Sequence, residues 1–188
     1  MSENIIAVKN VSKRFKEGTA LDHVTVSFEK GKIHGIIGRN GSGKTMLFKC
    51  ICGLVSPSEG EITVCGKIVG KDVDIPDDIG IIIETPSFLP NYSGYENLRL
   101  LASIRGKIKK DNVRAAITKV GLNPDVKKHV RKYSLGMRQR LGIAQAIMED
   151  PQILILDEPM NGLDNAGVKE MREILKELRK EGKTILLA

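Results

Sequence analysis

The stretch that most constrains this chain is Gly38-Arg39-Asn40-Gly41-Ser42-Gly43-Lys44-Thr45, which fits G-x-x-x-x-G-K-[ST]. The apolar run Lys32-Ile33-His34-Gly35-Ile36-Ile37 precedes it and reads as a buried strand; Met46 to Leu54 follows with helical spacing. A glycine-rich turn with a chance lysine would lack that strand–loop–helix order. The glycines let the backbone turn tightly, so that successive N–H groups converge on an anion. The following helix adds partial positive charge at its N-terminus. The pattern predicts a phosphate cradle running from Gly38 through Asn40, Gly41, Ser42, Gly43, Lys44 and Thr45 to Met46. In it, Lys44 reaches the terminal phosphates and the Thr45 hydroxyl ligates Mg²⁺.

The rest of the chain must supply a core around that loop. At 188 residues it suffices for one large α/β domain. Aromatics are 4% of residues and Trp is absent, so aliphatic side chains carry the core. No apolar run approaches the length of a membrane-spanning helix, and the N-terminus has no signal-like block, so the expectation is a cytoplasmic chain. Cys50, Cys52 and Cys65 lack zinc spacing and read as reduced, buried small hydrophobes.

Residues 5 to 30 read as two strands, with alternation in Val24-Thr25-Val26-Ser27-Phe28 marking a half-exposed antiparallel one. Glu61 to Cys65 alternates again, and Ile79 to Ile83 reads as a buried parallel strand. Residues 93 to 122 and 134 to 150 are helical in pattern, with Tyr95, Leu98, Leu101, Ala102 and Ile104 on one face. Residues 166 to 181 form an amphipathic helix, and Thr184 to Ala188 begins a core strand. The net charge of +7 is concentrated between Arg99 and Arg140, where only Asp111 and Asp125 oppose the eleven basic side chains between those two arginines. That stretch is a solvated face or a surface for anionic lipid or an acidic partner. Tyr133 alone interleaves with it, too little aromatic surface to stack bases.

Two further stretches carry chemistry. Ile153-Leu154-Ile155-Leu156-Asp157-Glu158 is a buried strand ending in two acids, where α/β folds place ligand chemistry. Asp157 is the candidate Mg²⁺ ligand through a water, and Glu158 the group that polarises the attacking water. Tyr133-Ser134-Leu135-Gly136-Met137 opens a helix on a serine cap. The Ser134 hydroxyl, the Gly136 N–H and the helix dipole make a second anion site.

With these three motifs in this order, the chain resembles the ATP-binding subunits of ABC transporters over nearly its whole length. The resemblance implies an ABC-type P-loop NTPase fold, α/β with an antiparallel β subdomain and a helical insertion. Residues 1–86 and 151–188 would form the core and 87–150 the helical signature subdomain. It implies ATP and Mg²⁺ as ligands, a head-to-tail dimer with a second ATPase subunit, and a membrane-spanning permease as partner. Nucleic acid is not expected as a partner. Ser134 and Gly136 would then contact ATP held by the other subunit. Asn161-Gly162-Leu163-Asp164 matches the D-loop, and Phe15 sits where the family stacks an aromatic on adenine.

The chain departs from the family pattern in four places: Leu135 for the first signature glycine, Glu84 at the Q-loop position, Met160 for a threonine or serine, and no switch histidine among the 188 residues. Glu84 is a candidate metal ligand that cannot donate a hydrogen bond when ionised. Glu84 together with the Ser-Leu-Gly-Met signature is similar to bacitracin-type and lantibiotic-immunity export ATPases. In those, Phe88, Leu89 and Tyr92 would face the permease. The implied role is an ATPase powering export of antimicrobial peptides or drugs, peripheral on the cytoplasmic face of the membrane. The rivals are a soluble ABC-type ATPase acting on nucleic acid or ribosomes, and an unrelated P-loop kinase, against which the signature and D-loop argue. The sequence halts within an apolar run at Ala188, so the expectation is a piece of a longer protein with weak turnover alone.

Overall fold

The computed structural model describes residues 3–84 and 86–188. Two four-stranded sheets organise them. Strands β1 (Asn4–Phe15) and β2 (Gly18–Glu29) form an antiparallel hairpin. Next come β3 (Ile33–Gly35), helix α1 (Lys44–Ile51), β4 (Glu59–Val64), β5 (Lys67–Ile68) and β6 (Ile79–Ile82). Helices α2 (Gly94–Arg105), α3 (Lys110–Lys119) and α4 (Leu135–Ile147) precede β7 (Ile153–Leu156), α5 (Asn165–Lys180) and β8 (Thr184–Leu187). The antiparallel sheet has the order β2-β1-β4-β5 and the parallel sheet β3-β8-β7-β6.

All four residues of β7 are buried, as a parallel strand covered on both faces requires. Leu154 and Leu156 face one hydrophobic cluster, built with α2 to α5 through Leu98, Ile117, Leu141, Met171 and Leu175. Ile153 and Ile155 face the other, where α1 packs against the antiparallel sheet through Phe48, Ile51, Ile6 and Ile62. Alternation along one strand therefore joins two cores, and its carboxyl end emerges between them.

The helical block starts and stops on local signals. Ser93 caps α2 in a capping box: its Oγ accepts from the Glu96 N–H at 3.2 Å, and Glu96 Oε2 accepts from the Ser93 N–H at 2.7 Å. The helix ends on Gly106 in the left-handed region (φ 65°), which breaks the 93–122 pattern into α2 and α3. Asn97, buried on α2, binds both the N–H and the carbonyl of Leu89 and so pins the loop that leads into the helix.

Four expectations are corrected. The run before the glycine loop is not a buried strand. β3 is a sheet edge with β8 as its neighbour and ends at Gly35; Ile33 on it is exposed, and Ile37, in the loop beyond it, almost fully so. Cys65 is exposed, because it follows β4 at a turn in the left-handed region, whereas Cys50 and Cys52 are buried on α1 and at its end. Ile104 points to solvent rather than into the α2 face. The basic stretch is also less unopposed than its own composition implies. Arg105 pairs with Glu149, Arg140 with Glu170 and Lys119 with Glu181, acids that the fold imports from α5 and from the turns after α4 and α5.

Candidate functional site

The carboxyl ends of the parallel strands converge. The Asp157 N–H donates to Ile82 O at 2.8 Å and the Glu158 N–H to Ala188 O at 3.2 Å, so the two acids leave β7 stitched to both neighbouring strands. The Ile36 N–H donates to Leu187 O at 2.7 Å, which carries the ladder of β3 toward the glycine loop. The loop then feeds α1 through Gly43, at φ 88°. A Cβ there would fall on the Ala20 carbonyl oxygen, so glycine is required on both conformational and packing grounds.

Within this convergence the Thr45 hydroxyl donates to Asp157 Oδ2 at 2.6 Å. Asp157 is 6% exposed, and its other oxygen, Oδ1, is buried with no hydrogen-bond partner. An ionised carboxylate oxygen in that position is costly unless a cation or donor meets it. A hydroxyl and a carboxylate are hard oxygen donors of the kind Mg²⁺ takes. Among the described residues no cluster of three or more His, Cys, Asp or Glu could hold a metal. That sparse protein donor set fits Mg²⁺, which is usually held by one or two carboxylates together with substrate phosphates.

Glu158 is exposed at the mouth of the site, with its backbone in the left-handed region (φ 48°), a strained conformation for a non-glycine residue. Its Oε2 accepts from Asn161 Nδ2 at 2.9 Å, so the D-loop asparagine fixes the carboxylate's direction. Lys44 donates to Gly38 O at 2.9 Å and Arg39 O at 3.1 Å, and thus folds over its own loop. A cavity of about 390 Å³ is lined by Thr45, Glu84, Asp157 and Glu158 together with Leu135, Gln139, Asn161 and Gly162. Asn40 and Glu158 share a second cavity, of about 430 Å³, with Met160 and Asn161.

Other residues singled out in the sequence stand apart from this cluster, except Glu84, which lines the same cavity. Ser134 Oγ caps α4 by accepting from the Met137 N–H at 3.2 Å. Neither Ser134 nor Gly136 lines the cavity with Thr45 and Asp157; Leu135 does, and it packs over Gly162 of the D-loop. Phe15 is half-exposed at the tip of the β1–β2 hairpin, with the Lys13 ammonium 5.1 Å from its ring centre. The Met46 side chain packs toward the α1 core, leaving only its backbone for the loop. Glu84 also lies in the left-handed region (φ 64°), and its Oε1 accepts from Lys49 Nζ at 2.7 Å. That hydrogen bond, and then the lysine's charge, hold the Glu84 carboxyl below the ordinary carboxylate value. The sequence does not indicate the contacts of Lys49 with Glu84 and Asn161 with Glu158; the two carboxylates, and the D-loop match for Asn161, are its cues.

An antiparallel sheet beside a parallel one, a glycine loop at the head of α1, and paired acids at the end of β7 define a P-loop ATPase of the ABC type. The family model described as ABC transporter matches residues 21–161, and the chain belongs to that family as an ATP-binding, ATP-hydrolysing domain. It is 46% identical to an uncharacterized ABC transporter ATP-binding protein of Bacillus subtilis, over 97% of this chain and 84% of that protein. It is 43% identical to the bacitracin transport ATP-binding protein BcrA of Enterococcus faecalis, over 99% of this chain but only 61% of that protein. Among solved structures it is similar to cbiO1 from Clostridium perfringens, part of the transporter complex cbiONQ. That similarity has a TM-score of 0.86 and 30% identity, over 99% of this chain and 78% of that one. It is also similar to a dimeric ATP-binding cassette in a post-hydrolysis state with ADP and Pi, with a TM-score of 0.83 and 26% identity, over 97% of this chain and 86% of that one.

Proposed function

We propose that this domain binds Mg-ATP between the Gly38–Thr45 loop and the Asp157–Glu158 strand end and hydrolyses it to drive an export permease. The observation that carries the reading is the Thr45–Asp157 hydrogen bond with Asp157 Oδ1 buried and unpaired beside it. Thr45 and Asp157 would hold Mg²⁺, with Glu84 as a further carboxylate on the same cavity. When bound, the ion neutralises charge on the phosphate oxygens. Lys44 exchanges its two loop carbonyls for the terminal phosphates, a trade of neutral acceptors for charged ones. Glu158, aimed by Asn161, orients a water in line with the terminal phosphorus and draws its proton as the oxygen attacks; the bond to the ADP oxygen breaks.

The site on one chain is half of the reading. Ser134 and Gly136, away from this cavity, serve the nucleotide of a second subunit, and the N-terminus of α4 brings partial positive charge to that phosphate chain. Phe15 stacks on adenine. The division into a core of 1–86 with 151–188 and a helical unit of 87–150 belongs to the same reading; one hydrophobic cluster joins α2 to α4 with β7, α5 and β8 across that boundary. Among the described residues no helix is long and apolar enough to cross a membrane. Membrane contact through a permease, on the cytoplasmic face, belongs to the same reading. Half-exposed Leu89 and Tyr92 offer the docking surface, while Phe88 packs against the helical cluster. Antimicrobial peptides are the proposed cargo, on the strength of the bacitracin and lantibiotic transport relatives.

The test uses the complete subunit. Glu158→Gln retains ATP binding and loses about 10²-fold or more in turnover; wild-type turnover in that variant removes Glu158 from the mechanism. Lys44→Ala loses nucleotide affinity, and unchanged affinity by calorimetry overturns the loop assignment. A membrane protein co-purifies with the subunit; RNA or DNA in its place contradicts the transport reading.

A further inference from the structure

Glu84 borders two cavities. One is the 390 Å³ site with Thr45 and Asp157; the other, of about 400 Å³, is lined by Lys49, Leu54, Ile83 and Pro86. Its carboxylate lies on Lys49 at 2.7 Å. Lys49 and Thr45 are four residues apart on α1, so they share a face one turn apart. That turn is about 5.4 Å long, within the swing of a glutamate side chain whose backbone is fixed. The Glu84 backbone lies in the left-handed region, and the side chain is 68% exposed, with Lys49 as its hydrogen-bond partner.

We propose that Lys49 is a positioning residue that holds the Glu84 carboxylate one helical turn away from the Thr45–Asp157 site and competes there with the metal of bound nucleotide. The inference rests on the Mg-ATP reading of that site. The two partners differ in what they offer. A single exposed ammonium gives one charge in high dielectric, whereas a divalent ion with open coordination positions recruits a carboxylate more strongly. Glu84 therefore transfers to the metal when nucleotide is bound and returns to Lys49 when it leaves. An amide at position 84 would make neither a full ion pair with Lys49 nor a charged metal ligand, so the device needs the acid and the lysine together.

The experiment measures affinity for a fluorescent ATP analogue in Mg²⁺ and in EDTA, and takes the ratio as the metal's contribution. Lys49→Met frees Glu84 and raises the ratio about two- to five-fold, the size expected when an exposed ion pair no longer competes. Lys49→Arg keeps the pair and leaves the ratio at the wild-type value. In a Glu84→Gln background Lys49→Met leaves the ratio unmoved. The Glu84→Gln background is the control for the general loss of positive charge near the phosphates. An unchanged ratio in Lys49→Met, or an equal change with Glu84→Gln present, overturns this inference alone. A wild-type ratio of one overturns the metal reading beneath it.

Discussion

Asn97 is where the helical block and the loop after Glu84 are fastened together, and its replacement by alanine gives a measurable forecast. The side chain is 4% exposed. Its Oδ1 accepts from the Leu89 N–H at 2.7 Å, and its Nδ2 donates to Leu89 O at 3.1 Å and Ser93 O at 2.9 Å. Each such bond contributes about 1 kcal/mol net. The third loss is softened, because Ser93 O keeps the Asn97 backbone N–H at 3.1 Å. Leu89 is 44% exposed, so water reaches its freed groups and the larger penalty for buried orphans does not apply in full. With the buried side-chain packing also lost, Asn97→Ala costs about 2–3 kcal/mol. In a chain of this size that lowers the melting temperature by about 4–12 °C. Urea unfolding followed by circular dichroism gives the same free energy from the midpoint. Asn97→Asp keeps the acceptor but loses both donations and buries a charge, so it is at least as destabilising. A loss below about 0.5 kcal/mol in Asn97→Ala would refute the idea that this side chain fastens the loop.

Other outcomes follow from single features. Gly80→Ala places a Cβ on the Ala146 carbonyl oxygen and 2.9 Å from Leu154 Cδ2, between β6 and α4; it costs about 1–3 kcal/mol in urea unfolding, and a wild-type midpoint contradicts that packing. Cys65 reacts with a thiol reagent in the native protein, while Cys50 and Cys52 react only on unfolding. Burial pushes the Cys52 thiol up to about 12, and burial followed by Asp78 also raises Cys65, so labelling of Cys65 keeps accelerating above pH 9.0. The capping box holds the Glu96 carboxyl below its ordinary value of 4.5, first through the Ser93 N–H and hydroxyl. A depressed folded-state value stabilises above the unfolded pKa and fades as pH falls through the folded one. The stability gap between wild type and Glu96→Gln is therefore full at neutral pH and closes below pH 4.5.

What the sequence made legible was local. The glycine loop, the Asp157–Glu158 strand end and the Ser134 cap each consist of neighbours in the chain, and local chemistry dictates their form. What escaped it depends on partners far away. Hydrophobicity marks Ile33 to Ile37 as strand-forming, but exposure depends on how many strands flank it, and β3 lies at an edge. Composition counts the charges between Arg99 and Arg140, yet Glu149, Glu170 and Glu181 reach them only through the fold. The carboxylates Glu84 and Glu158 are readable as candidates, whereas their hydrogen bonds from Lys49 and Asn161 depend on the fold. Cys65 shares its type with the two buried cysteines and differs in standing at a turn.

The central claim is that Thr45 and Asp157 hold the metal of bound ATP, and the dependence of nucleotide affinity on Mg²⁺ tests it most directly. Wild type binds the fluorescent ATP analogue more tightly in Mg²⁺ than in EDTA. Asp157→Asn keeps the EDTA affinity, because the glycine loop is untouched, and loses the Mg²⁺ gain. An Asp157→Asn variant that retains the full Mg²⁺ gain would contradict the account.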